Sequence, residues 1–113
     1  MTAMQDKSAR LAEILEQVRA LGPTLRKRAP EAEKAGRHSD ETIADLDATG
    51  VFNIGSPAEY GGDELTVRQQ LDVISEVAKW DGSAGWTVWV AASTNWLPAG
   101  CGPRIIEEVY DPE

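Results

Sequence analysis

The sequence has almost none of the residues that build disulfides or metal sites. Its 113 residues include one cysteine, Cys101, and one histidine, His38. A single cysteine excludes an internal disulfide, and a lone histidine with no cysteine beside it does not make a zinc site. We therefore expect no metal, a structural Cys101 and an inert His38. Residues 1–10 lack the apolar segment of a signal peptide, which together with the single cysteine favours a cytoplasmic location.

Positive charge and long apolar runs are also scarce. Eleven Lys and Arg residues stand against 19 Asp and Glu, which gives a formal net charge of −8. This charge repels a phosphate backbone, so nucleic acid is not an expected partner. The longest apolar stretch, residues 84–99, is interrupted by polar residues and falls short of the ~20 apolar residues that a membrane span needs. No membrane association is expected. The chain is long enough for one small core, so we interpret residues 1–113 as one domain.

The first half of the chain predicts two helices. Apolar residues recur there at steps of three and four, the period of an amphipathic helix: Leu11, Ile14, Leu15, Val18 and Leu21. Gly22-Pro23 interrupts this stripe, and we expect the helix to kink or restart there. Pro30 opens a polar stretch. Ser39 is expected to cap the second helix and Gly50 to end it.

Three more helices are predicted after a loop. Residues 51–54 are expected to be a short extended piece, and the turn-rich loop that follows contains Tyr60-Gly61-Gly62. Thr66 can cap a third helix in a capping box, with an inner stripe of Val67, Leu71, Ile74, Val77 and Ala78. Ser83 is expected to cap a fourth helix, and residues 104–110 form a short fifth. Because no segment alternates as a strand does, the predicted fold is all-α with about five helices.

The fourth helix carries the most informative pattern. Trp86, Trp89, Ser93 and Trp96 lie at steps of three, four and three and therefore share one face. Three indoles and one hydroxyl can wall an aromatic or flavin ring with flat apolar surfaces and few polar groups. The same stripe can instead pack in the core against the first and third helices, and for Trp89 we favour the core.

Two segments resemble a known family. Residues 50–62, Gly-Val-Phe-Asn-Ile-Gly-Ser-Pro-Ala-Glu-Tyr-Gly-Gly, resemble the N-terminal domain of acyl-CoA dehydrogenases and their relatives. Residues 81–86, Asp-Gly-Ser-Ala-Gly-Trp, resemble a step in the monooxygenase branch, which contains two-component hydroxylases. The resemblance covers nearly the whole chain. It implies the N-terminal helical bundle of that fold, with the family's central β-domain and C-terminal helical bundle absent from this sequence.

The resemblance also implies a function for a longer parent protein. The parent would use reduced FMN or FAD and O2 to hydroxylate an aromatic or polyketide-type substrate. A separate flavin reductase would supply the flavin, and the parent would be a homo-oligomer, commonly a tetramer. The isolated chain is expected neither to bind flavin tightly nor to turn over. An acyl-CoA dehydrogenase N-terminal domain and a stand-alone helical interaction module without catalysis remain alternatives.

Site residues follow from the same resemblance. It places a substrate or flavin pocket on the fourth helix, with these residues as its lining: Trp86, Val90, Ser93, Thr94, Asn95 and Trp96. Tyr60, Gly61 and Gly62 are expected at the pocket rim or in a simple helix connection. Relatives often have histidine where this chain has Thr94, and threonine cannot act as a general base at neutral pH. Thr94 either contacts the substrate or bonds to a carbonyl one turn back. No catalytic residue is assigned.

Overall fold

The computed structural model describes residues 3–110 of the 113-residue chain. Within these residues the chain is all-α, as predicted, and has no strand. Its five α-helices are α1 Ala3–Ala35, α2 Asp40–Thr49, α3 Val67–Trp80, α4 Gly82–Trp96 and α5 Pro103–Tyr110. None of these helices combines the length and apolar character that crossing a membrane requires.

Helix α1 is continuous through Pro23, so of the two predicted outcomes, a kink or a restart, the restart is wrong. Proline inside a helix removes one backbone hydrogen bond, but packing against the rest of the domain offsets that loss. Gly22 lies so close to α3 that a Cβ there would overlap the Trp80 ring. One turn further on, the Arg26 guanidinium stacks over the same ring, 4.7 Å from its centroid. Contacts on both sides of Pro23 thus hold the helix together.

Three of the four predicted helix ends are confirmed. The Ser39 side chain accepts a hydrogen bond from the Thr42 amide at 3.2 Å, and Gly50 ends α2 in the left-handed region with φ +86°. Thr66 and Gln69 make both bonds of the capping box. The cap of α4 is Asp81 rather than Ser83, because the extended backbone at Asp81 lets its carboxylate accept from the Ser83 amide at 3.0 Å.

The core lies between α1, α3 and α4 and is closed by α2 and the turn after it. Residues 51–53 form a 3-10 helix rather than the predicted extended piece, and this turn buries Val51 and Ile54. The apolar side chains that are fully or nearly fully buried in the core are Ile14, Val18, Leu25, Leu46, Val51, Ile54, Leu65, Val73, Val77, Ala84, Val88 and Ala92.

Helix α3 has two apolar stripes, one buried and one exposed. The predicted inner stripe combines Val77, which is buried, with Val67 and Leu71, which are exposed. Val73 and Val77 are buried, whereas Val67 is 73 % exposed and Leu71 is 49 % exposed. The two stripes are about 120° apart around the helix, because each residue advances about 100° and the stripes are offset by six residues. Only one of them faces the core, and the other, with Ile74 at its edge, remains on the surface next to α4.

Candidate functional site

Helix α4 turns its small side chains inward and its indoles outward. Ala84, Gly85, Val88 and Ala92 are buried, while Trp86, Trp89 and Trp96 are 64 %, 44 % and 55 % exposed. The core position predicted for Trp89 is therefore wrong. Small inward residues bring α4 so close to α3 that no indole fits between them. The Trp86 and Trp89 rings contact each other instead, with centroids 4.9 Å apart.

An open groove of about 580 Å³ runs between the outer stripe of α3 and the indole face of α4. We call it the α3–α4 groove. Its apolar lining is Val67, Leu71, Ile74, Trp89, Trp96 and Leu97, with Leu65 at one end, and its polar lining is Thr66, Gln70, Ser93 and Thr94. None of these side chains is charged. Volume and lining are typical of a site for an uncharged organic molecule.

The polar residues predicted for the pocket differ in what their side chains do. The Thr94 hydroxyl lies 2.9 Å from the Val90 carbonyl oxygen and 3.0 Å from that of Ala91, so it bonds back to its own helix. The Asn95 amide donates to the Phe52 carbonyl oxygen at 2.9 Å and ties α4 to the 3-10 turn. The Ser93 hydroxyl has no hydrogen bond to any residue from 6 to 110, the part of the chain whose side chains are described.

Trp86 lies apart from the groove, in a second recess of about 720 Å³ between α1, α2 and the start of α4. Here His38 is not the isolated side chain that the sequence indicates. Its Nε2 lies 3.1 Å from the Ser83 hydroxyl, which donates to the Asp81 carboxylate at 3.0 Å. His38 thus joins the α1–α2 connection to the N-terminus of α4. Unlike the groove, this recess includes charged side chains, among them Arg37 and Asp81.

Residues 55–64, which we call the rim loop, lead into the groove at Leu65. Gly61 adopts φ +85°, a region that disfavours other residues, as expected for a sharp turn. The loop is closed by backbone hydrogen bonds, among them Glu64 N–H to the Ser56 carbonyl oxygen at 3.0 Å. Tyr60 stacks on Tyr110 of α5, with ring centroids 4.8 Å apart. The loop is therefore a fixed structure between α4 and α5.

Arg10 holds the rim loop from the side of α1. Its Nε donates to the Asp63 carboxylate at 2.9 Å, and the Asp63 side chain is mostly buried. The guanidinium reaches Asp63 by passing over Gly50, where a Cβ would lie 2.6 Å from Arg10 Nη2. No local sequence signal indicates this pair, because its partners are 53 residues apart.

We expect Arg10→Met to lower the free energy of unfolding by about 1–2 kcal/mol, because the Asp63 carboxylate loses its charged donor in a mostly buried position. Urea denaturation followed by circular dichroism measures the loss. Arg104→Met is the matched control, since the Arg104–Glu108 pair is exposed and should contribute less than about 0.5 kcal/mol. Equal losses in the two variants would contradict the role given to Arg10.

Comparison with known proteins gives consistent matches. Residues 8–99 match the family model described as acyl-CoA dehydrogenase, N-terminal domain. A pigment production hydroxylase of Rhodococcus erythropolis is 30 % identical over 103 residues, which cover 89 % of this chain and 26 % of the relative. The oxygenase subunit HsaA of a flavin-dependent monooxygenase from Mycobacterium tuberculosis is 31 % identical over 110 residues, 97 % of this chain and 27 % of the relative.

Solved structures match over the same region. The crystal structure of 3-HSA hydroxylase from Rhodococcus sp. RHA1 superposes with a TM-score of 0.85 at 30 % identity, covering 89 % of this chain and 27 % of that one. The HsaA monooxygenase from M. tuberculosis superposes with a TM-score of 0.86 at 29 % identity, covering 91 % and 28 %. The chain therefore spans about a quarter of the length of the relatives that it matches.

Proposed function

The chain belongs to the acyl-CoA dehydrogenase family as an N-terminal domain, and from this premise we propose that it is the substrate-pocket domain of a flavin-dependent monooxygenase. The parent protein would hydroxylate an aromatic or polyketide-type substrate with reduced FMN or FAD and O2. The relatives are a hydroxylase and a flavin-dependent monooxygenase, which supports this branch over the dehydrogenases. The outward indole face of α4, bordering an uncharged groove, is the observation that carries the proposal.

This face fits one wall of a flavin or substrate site. The exposed Trp89 and Trp96 offer flat apolar surfaces to a ring, and the uncharged groove that they line would exclude water once it is covered. Trp86 offers a third indole in the neighbouring recess. The flavin, when bound to the parent, would supply the chemistry that activates O2 and passes an oxygen atom to the substrate. For the flavin phosphate the sequence contains no glycine-rich binding motif. We infer that most of the flavin contacts belong to other parts of the parent.

The partners of the parent are part of the same proposal. The central β-domain and the C-terminal helical bundle of the family would cover the α4 face and complete the pocket. A separate flavin reductase would supply reduced flavin, and the parent would assemble as a homo-oligomer, with a tetramer as the expected form. A cytoplasmic location is supported by the single cysteine.

The first test is rapid mixing of the full-length parent, loaded with reduced flavin, against oxygenated buffer. A transient absorbance change that precedes the return of oxidised flavin would support a monooxygenase. Direct reoxidation, together with bleaching of the oxidised protein by an acyl-CoA, would mean a dehydrogenase. A parent without flavin would favour a helical interaction module.

A variant of the same parent tests the role of the indole face. Trp86→Ala is expected to raise the hydrogen peroxide released per flavin oxidised by several-fold, because water gains access when the wall is removed. Ile105→Ala is the control, since Ile105 is also exposed but lies on α5. The same peroxide yield in both variants would remove Trp86 from the pocket wall.

A further inference from the structure

Ser93 is the hydroxyl of the α3–α4 groove that lies between two exposed indoles and makes no hydrogen bond to residues 6–110. It lies four residues after Trp89 and three before Trp96, so it shares their helix face and sits between the two indoles. All three residues line the groove. A serine hydroxyl can donate one hydrogen bond and accept two, and among residues 6–110 the Ser93 hydroxyl makes none.

The neighbouring hydroxyl, Thr94, is committed elsewhere. Its proton points to the carbonyl oxygens of Val90 and Ala91 on its own helix. A ligand that took this proton would leave those contacts broken. Thr66 and Gln70, the other polar side chains of the groove, are each held by one local hydrogen bond: the Thr66 hydroxyl accepts from the Gln69 amide, and the Gln70 side-chain amide donates to the Leu65 carbonyl oxygen.

The charge of the groove limits what it can hold. No charged side chain lines it, and the chain as a whole carries a formal net charge of −8. A carboxylate or phosphate placed there would lose water without gaining a cation, which is unfavourable. A neutral ring loses little on leaving water and gains contact with two indoles.

We propose that Ser93 selects the ligand of the α3–α4 groove by hydrogen-bonding a hydroxyl or carbonyl group on a neutral aromatic ring held against Trp89 and Trp96. This inference rests on the proposed function, because it assigns the groove to substrate. It replaces Thr94 with Ser93 as the residue that recognises the polar group, and it restricts the substrate to a class that carries no charge on the ring portion in the groove.

The test is a calorimetric titration of the full-length parent, whose other domains complete the pocket, with three ligands of matched shape: p-cresol, toluene and 4-methylbenzoate. Toluene lacks the polar group and 4-methylbenzoate adds a negative charge. The quantity compared between variants is the dissociation constant of toluene divided by that of p-cresol. Ser93→Ala is expected to lower this ratio about fivefold, the usual effect of losing one hydrogen bond. Thr94→Val, the matched control, is expected to leave it unchanged, and 4-methylbenzoate should bind more weakly than p-cresol.

Three results would overturn the inference while leaving the groove as a ring site: an unchanged ratio in Ser93→Ala, a lowered ratio in Thr94→Val, or 4-methylbenzoate binding as tightly as p-cresol. A different result would count against the proposed function as well. If the parent binds none of the three ligands, the groove is not a ring site. Because Ser93 is exposed, its replacement should leave the fold intact. An unchanged circular dichroism spectrum of the unliganded Ser93→Ala variant verifies this.

Discussion

Replacing Gly85 with alanine is expected to lower the free energy of unfolding by about 3 kcal/mol, the upper range for overpacking a core. A Cβ at Gly85 would lie 2.5 Å from the Ala78 Cβ and 2.8 Å from its Cα. These neighbouring atoms belong to the α3 backbone or are attached to it, so they cannot swing aside. The two helices must separate, which weakens the contacts of the core between them. Urea denaturation followed by far-ultraviolet circular dichroism measures the loss.

Gly82→Ala is the matched control for this prediction. Gly82 begins the same helix, and a Cβ there meets no atom within 4 Å. Alanine is also the better helix former, so this variant should be unchanged or more stable by up to about 1 kcal/mol. If Gly82→Ala destabilises the chain as much as Gly85→Ala, close packing of α3 and α4 is not the cause. Because both helices line the groove, Gly85→Ala should also shift the groove amides in an NMR spectrum, and Gly82→Ala should not.

The parts of the fold that depend on neighbouring residues could be predicted from the sequence. Ser39, Gly50 and the Thr66–Gln69 pair act within one helical turn, so their residue types alone indicate where helices begin and end. The predicted restart at Pro23 was wrong because the contacts that keep α1 continuous join residues that are distant in sequence. Gly22 and Trp80, which hold α1 together across that point, are far apart in sequence, and no local pattern shows that they meet.

Periodicity showed which residues share a helix face but not which face is buried. In α3 the Val73–Val77 stripe and the Val67–Leu71 stripe are equally apolar, and only packing distinguishes them. In α4 the largest residues were natural candidates for the core, yet the small ones are buried because they allow close approach to α3. A sequence with two apolar stripes on one helix is therefore a sign that one of them serves a purpose other than the core of this domain.

The sequence indicated which α4 residues share a face, but not how the folded chain divides them: Trp89, Ser93, Thr94 and Trp96 line the α3–α4 groove, and Trp86 lines a separate recess. The shared face of Trp86, Ser93 and Trp96 follows from their spacing, and its use as a pocket wall follows from the family resemblance. Whether a hydroxyl is free is decided by its hydrogen bonds, and these show Ser93 unengaged where Thr94 is engaged. The His38–Ser83 contact joins residues 45 apart, so only the folded chain reveals it.

Gly62→Ala is expected to lower the free energy of unfolding by about 3 kcal/mol and to loosen the rim loop. A Cβ at Gly62 would overlap the carbonyl oxygen of Ser56 and lie 2.5 Å from its carbonyl carbon. Ser56 is buried, and its carbonyl oxygen accepts the Glu64 amide at 3.0 Å. The loop cannot shift to make room without breaking that bond, and the adjacent bond from the Leu65 amide to the Ile54 carbonyl oxygen at 2.8 Å would be strained with it.

Gly61→Ala separates the two reasons for which this loop needs glycine. Gly61 has φ +85° but nothing within 4 Å of its Cβ position, so alanine there costs only the left-handed backbone, about 1–2 kcal/mol. Urea denaturation of both variants, with hydrogen exchange of the Glu64 and Leu65 amides, measures the difference. Gly62→Ala should lose more stability and exchange faster at both amides. The reverse order would mean that the backbone angle at Gly61, rather than the approach of Gly62 to Ser56, is what fixes the rim of the groove.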